Sequence, residues 1–136
     1  MSFILKKGKN SAWRKHLLNN LVADAILYEK IETSLPTAKS LTKLLAKLIT
    51  WAKKAEKEKE NKVLRQHLYR LALRYLVNKK RVETNQKPNQ AKTHVLNKLF
   101  VKLGKKYQDR PGGYSRIVKL GLRKGDNNLR VIFALC

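Results

Sequence analysis

Residues 30–54 read KIETSLPTAKSLTKLLAKLITWAKK, and the fold is decided in this stretch. It opens with an alternating run in which Ile31, Thr33 and Leu35 point to one side, the period of a half-buried strand. Pro36 fixes φ near the helical value and has no amide to satisfy, which suits the first position of a helix. Leu41, Leu44, Leu45, Leu48, Ile49 and Ala52 then recur at the spacing of one buried helical face. Lys39, Lys43 and Lys47 follow at four-residue steps on the opposite face, with no acid among them. A strand therefore feeds directly into a helix with an apolar side and a cationic side. A helix that needs only solubility mixes Glu with Lys. A face of one sign points to an anionic partner, although a solvated face accounts for the same pattern.

Composition agrees with the first alternative. The 136 residues favour one domain, 1–136, and a hydrophobic content of 43% is enough for a core. Against that ordinary background, 32 Lys and Arg face 9 Asp and Glu, a net charge of +23. Self-repulsion of that size calls for counter-charge close by, and the usual polyanion is nucleic acid. No apolar run approaches the ~20 residues of a spanning helix, so no membrane partner is expected. The opening MSFILKKGKN is too briefly apolar for a secretory signal and carries its charges after the apolar part. Cys136 is the one cysteine, which leaves no internal disulfide and no thiolate cluster. A cytoplasmic location is expected.

Outward from the central stretch, residues 1–10 read as a basic flexible tail. Lys6, Lys7, Lys9, Arg14 and Lys15 have no acid near them, and the first acid of the chain is Asp24. Ser11 is the expected N-cap of a helix whose stripe is Trp13, Leu17, Leu21, Ala25 and Tyr28. Trp13 has two readings, core residue or stacking platform for a base beside Arg14, and its helical spacing favours core. Residues 53–62, KKAEKEKENK, alternate in sign and read as a solvated helix end or connection. Val63, Leu64, Leu68, Leu71, Ala72, Tyr75 and Leu76 form another helical face, with Lys79, Lys80 and Arg81 expected in its last turn. Residues 82–92 are polar, contain Pro88 and read as an exposed loop. A shorter helix follows, with Val95, Leu96, Leu99, Phe100 and Leu103 inward and Lys98, Lys102, Lys105 and Lys106 outward.

The last section changes character. Residues 109–113, DRPGG, form a turn in which Gly112 and Gly113 permit backbone angles that other residues resist. Residues 114–120 read as a strand, 123–128 as a turn, and the alternation of Leu129, Val131, Phe133 and Leu135 as a second strand. The two should pair antiparallel. With residues 31–35 they predict an α+β fold: a small three-stranded mixed sheet with helices packed on one face, in the order helix, strand, helices, strand, strand. Arg110, Gly112, Gly113, Tyr114 and Arg116 make a bare-backbone patch flanked by guanidinium groups, well suited to phosphate. Tyr114 either stacks on a base or packs in the core. Lys119, Arg123 and Lys124 continue the cationic set along the hairpin, as Lys39 and Lys43 do on the central helix.

These residues in this order resemble the bacterial large-subunit ribosomal protein seventeen family. The carrying stretches are Ile31-Glu32-Thr33-Ser34, Ala38-Lys39 and Leu48-Ile49-Thr50-Trp51-Ala52-Lys53, joined by Arg110-Pro111-Gly112-Gly113-Tyr114-Ser115-Arg116-Ile117 and Gly125-Asp126-Asn127. The resemblance implies a small fold of helices and strands seated on large-subunit ribosomal RNA near the end of the nascent-chain exit tunnel. It also implies neighbouring large-subunit proteins as partners. The chain departs from the family in the apolar Ser2-Phe3-Ile4-Leu5, in Trp13 where a His is common, and in a longer 82–92 segment.

Catalysis lacks parts. His16, His67 and His94 lie far apart and fit no metal-ligand pattern, and Gly112-Gly113 precedes a strand where a phosphate loop precedes a helix. The chain reads as no enzyme, with no cofactor, no metal and no small-molecule substrate. The rival class is a free nucleic-acid-binding regulator. Its cations would concentrate on one recognition helix, whereas here they spread over tail, helices and hairpin, as embedding in folded RNA requires.

Overall fold

A computed structural model describes residues 8–76, 80–81 and 93–136. Helix α1 (Ser11–Tyr28) turns into strand β1 (Lys30–Ser34), which passes without a loop into α2 (Leu35–Lys57). Then come α3 (Lys62–Leu73) and two short strands, β2 (Lys80–Arg81) and β3 (Thr93–His94), paired antiparallel. A composite helix follows: α4 (Val95–Asn97), a π-helical turn Lys98–Leu103, and α5 (Gly104–Lys106). Strands β4 (Ser115–Leu122) and β5 (Leu129–Leu135) complete the sheet.

The α+β class and the element order are as the sequence predicts. The sheet, in the order β1-β5-β4, is antiparallel throughout and not mixed. Alternation shows which side of a strand is apolar but not which way it runs beside its neighbour. β5 is central, so Ile31, Phe133 and Ile117 form one cross-strand row and Thr33, Val131 and Lys119 the next. Val131 and Phe133 are fully buried, which puts these two rows on the helix side of the sheet, with Lys119 exposed at the edge-strand end of its row. The rows Lys30-Ala134-Arg116 and Glu32-Ile132-Val118 lie on the outer face. A register shift between Lys119 and Gly121 leaves Leu120 without a partner, a bulge on the edge strand β4.

The core forms where the central stretch puts it. Leu41, Leu45, Leu48, Ile49 and Ala52 of α2 are fully buried, packed with Val22 and Ile26 of α1 and with Leu99 of the composite helix. Each such Leu or Ile contributes about 1.5–3 kcal/mol relative to exposure. A Cβ added at Gly104 would lie 3.2 Å from the Ala52 carbonyl oxygen, so the glycine lets the composite helix approach α2 closely.

Four local readings change. The cap of α1 is Asn10, not Ser11: its side chain accepts from the Trp13 amide at 2.8 Å. Trp13 and Tyr28 are exposed, at 42% and 53%: the i+4 series from Trp13 to Ala25 drifts about 40° around the helix at each step, and the i+3 step to Tyr28 turns about 60° back toward the exposed side. The buried side of α1 is instead Val22, Ala23, Ala25, Ile26 and Leu27. Helix α3 ends at Leu73, so Lys80 and Arg81 do not close it but lie in β2, and Lys79 falls outside the described residues.

Lys98 is the fourth. It is buried, not outward, with its amine 2.9 Å from the Leu27 carbonyl oxygen and 2.6 Å from Glu29 Oε1. At α-helical spacing it would face away from the core; it begins the wider π turn and is tied to the end of α1.

Candidate nucleic-acid interface

The expected RNA-contacting side chains collect in three places. At the first, α1 presents Lys15 and α2 presents Lys43, both exposed, and together with Lys47 they line one open groove. Lys9 is exposed just ahead of α1, Trp13 is exposed on its first turn, Arg14 is half-buried, and Lys39 is exposed one turn before Lys43. Lys6 and Lys7 lie outside the described residues, as does the loop reading for 82–92. Lys47 holds its amine 5.1 Å from the Trp51 ring centroid and 5.0 Å from that of Tyr75, a cation held over two aromatic faces. The four-residue lysine series made Lys47 visible in the sequence. Nothing in the sequence linked it to Tyr75, which lies in the turn after α3.

The second place is the turn before β4. Gly113 has φ +64°, a left-handed conformation that glycine adopts without steric cost. Arg110 is exposed and donates from Nε to the Gly112 carbonyl oxygen at 3.1 Å. Its own carbonyl oxygen accepts from Lys53 Nζ at 2.5 Å and from the Tyr114 hydroxyl at 3.3 Å. Tyr114 is therefore a structural residue here. It is 7% exposed and meets Tyr107 edge-on at 5.2 Å, so its ring does not offer a stacking face to a base. Behind it the Tyr107 hydroxyl donates to the Cys136 carbonyl oxygen at 2.7 Å. Burial first, then the charges of Cys136 and Glu29, push the Tyr107 phenol above its ordinary pKa. What this turn presents outward is Arg110, the glycine backbone, and Arg116 on the outer face of the sheet.

The third is the β4–β5 hairpin, where Lys119, Arg123 and Lys124 are all exposed. Arg123 differs from the two lysines. Its Nε donates to Asp126 Oδ1 at 3.0 Å and its second nitrogen donates to Oδ2. That contact, helped by the Asn128 amide at 3.2 Å, lowers the Asp126 carboxyl to about 2. Arg123 thus braces the turn, and Lys119 and Lys124 carry the outward charge.

Lys53, Lys98 and Arg130 were not singled out by sequence as partners of anything, yet each has one. Lys53 braces the glycine turn, Lys98 ties two helices, and Arg130 pairs with Glu32 at 3.0 Å across the outer sheet face. The Glu32–Arg130 pair follows from strand register, which the sequence does not specify; the others depend on three-dimensional approach alone.

No described helix is long and apolar enough to cross a membrane, and among the described residues no three His, Cys, Asp or Glu gather where a metal ion would fit. The sequence profile of the family described as Ribosomal protein L17 matches residues 17–136. The chain is 42% identical over 135 residues to the large ribosomal subunit protein bL17 of Mesoplasma florum, covering 99% of each chain. It is 38% identical to that of Mycoplasma capricolum, again over 99% of each. For the bL17 of Mycoplasma pneumoniae the identity is 37%, over 99% of this chain and 95% of the relative.

Proposed function

We propose that this chain, which belongs to the ribosomal protein L17 family, holds its place in the large ribosomal subunit by binding ribosomal RNA through its outward cations. A member of that family is a structural constituent of the subunit, not an enzyme, and works in translation on the bacterial cytoplasmic ribosome. The observation that carries the RNA reading is the dispersion of charge. Lys15, Lys39 and Lys43 lie on the helices, Arg110 and Arg116 at the glycine turn, and Lys119 and Lys124 on the hairpin. Folded RNA brings phosphates from several sides to such a surface, whereas a duplex groove meets one element. The Gly112-Gly113 backbone adds a patch where the one side chain close by is the Arg110 guanidinium, itself a partner for phosphate.

The seat lies near the end of the nascent-chain exit tunnel, among other large-subunit proteins; full-length similarity to the family supports this position. Sedimentation of a lysate at moderate magnesium tests the assembly, with the chain expected in the large-subunit fraction. Recovery at the top of the gradient would point to a free regulator. Crosslinking from ribosomes stalled with a labelled nascent chain tests the position.

A further inference from the structure

The groove shared by α1, α2 and the residues after α3 is open to solvent and offers about 390 Å³. Its floor is apolar, from Leu18, Leu44 and the Tyr75 ring, and its rim is cationic, from Lys15, Lys43 and Lys47; among the described residues no acid lines it. From this arrangement we propose that the groove receives one unpaired base of the ribosomal RNA, with the flanking phosphates on Lys15 and Lys43. The inference rests on the RNA-binding reading and deepens it.

An apolar floor beneath a cationic rim selects among anions. A bare phosphate gains nothing from Leu18 and Leu44 and would lose hydration over them. A nucleotide presents both required surfaces, a flat base with weakly hydrated faces and a charged backbone on either side. The volume lies at the low end of small-ligand pockets, which suits one base. An amphipathic helix from a protein partner would require a longer trough, since it docks anchors spread over two turns.

The floor is also held in place. Tyr75 is tilted against Trp51 with ring centroids 5.7 Å apart, and Lys47 lies over both rings. Lys47 Nζ donates to the Tyr75 hydroxyl at 3.4 Å. Buried Asn19, oriented with its amide nitrogen toward the main chain, donates to the Tyr75 and Lys15 carbonyl oxygens at 3.2 and 3.3 Å. The Tyr75 main chain is thereby tied to α1, the helix that carries Lys15.

Filter binding of the full chain to a uridine decamer and to an abasic decamer of equal length and charge tests the proposal. The base-bearing decamer should bind about five- to tenfold more tightly, the lower part of the range for one stacked base. Ser40→Trp fills the groove without removing a cation; it should erase that preference while keeping the parent's salt dependence on large-subunit ribosomal RNA. A parent that binds ribosomal RNA but treats the decamers alike, including binding neither, overturns the base seat and leaves the RNA reading intact. A preference that survives in Ser40→Trp overturns it too. A parent that fails to bind ribosomal RNA brings down both. Should Ser40→Trp not fold, ultraviolet crosslinking of the parent to ribosomal RNA decides: a nucleotide adduct on the peptide containing Tyr75 supports the seat, and adducts confined to other peptides overturn it.

Discussion

Lys98 and Lys43 are the same side chain in opposite situations. Lys98 is 8% exposed, with its amine against Glu29 and the Leu27 carbonyl oxygen at the end of α1, where a cation complements the helix dipole. Glu29 adopts a left-handed φ of 62°, donates its amide to the Ala25 carbonyl at 2.9 Å, and accepts at its own carbonyl from the Leu135 amide at 2.8 Å. The lysine thus meets the point where α1, β1 and β5 join, and ties the composite helix to it. Lys43 lies exposed on the rim of the groove, with no ion pair among the described residues. The net charge of +23 therefore contains two populations. Inward cations such as Lys98 and Lys53 stabilise the fold, and outward ones such as Lys15 and Lys43 await an anion.

The largest expected effect comes from removing the acid-free cationic set at the start of the sequence. Changing Lys6, Lys7, Lys9, Arg14 and Lys15 together to Gln should flatten the logarithmic salt dependence of RNA binding by roughly 0.7–0.9 units for each phosphate that is no longer neutralised. Thermal stability in low salt should hold or rise, since self-repulsion falls. Lys57→Gln with Lys59→Gln is the control: Lys59 already pairs with Glu56 at 2.6 Å, and the slope should not move. Equal flattening from both sets would show that bulk charge, not its placement, governs binding.

Lys98→Met reverses the pattern. It should lower stability by about 1–3 kcal/mol, the cost of leaving a buried acceptor unsatisfied, and leave the salt slope as in the parent. Glu29 keeps 46% of its side chain exposed, so water can take over part of the amine's role and the loss stays below that of a fully buried pair. Urea denaturation reads the first quantity and filter binding the second. A variant with parental stability and weakened RNA binding would move Lys98 into the outward population.

The two populations were only partly legible in the sequence. The strand-to-helix junction was, because Pro36 and the Leu41 to Ala52 spacing are local signals that tertiary packing reinforces. The alternation through Val131 and Phe133 likewise marked β5 as the strand facing the core. Lys98 was not legible, because a π turn carries no composition signal and its partners lie on another element. Trp13 misled because an i+4 series looks like a stripe over one or two steps and drifts away by the third. Of the site, the placement of Arg110 and the glycines in a turn was readable from Pro and Gly. The inward seat of Tyr114 depends on Tyr107 and Lys53, which no local pattern connects to it.

Arg116 tests whether geometry matters within the outward population. It lies exposed in the outer row with Lys30 and Ala134, where its planar fork can hold two phosphate oxygens as an ammonium cannot. Arg116→Lys keeps the charge and should weaken RNA binding by about fivefold, the worth of one net hydrogen bond, at unchanged salt slope. If large-subunit incorporation of Arg116→Lys equals the parent's while Lys7→Ala impairs it, the position-sensitive contact is at the tail and not at the sheet.

The smallest effect concerns Arg123, a cation that is exposed and yet has a partner. Hydrogen bonding from its guanidinium is the main reason that the Asp126 carboxyl drops from 3.8 to about 2. A carboxyl depressed in the folded state contributes stability above its unfolded value and loses that contribution as pH falls through the folded one. The hairpin should therefore hold its parental form down to about pH 4 and loosen between there and about pH 2. Both groups are fully exposed, so the readout is local: the Asp126 carboxyl carbon shift followed through an acid titration. Arg123→Ala should return the midpoint toward 3.8. It should also release the Asn127 turn while leaving the core shifts of Val131 and Phe133 in place. A parental midpoint already at 3.8 would mean that Asp126 does not hold Arg123, and would return that guanidinium to the outward population alongside Lys119 and Lys124.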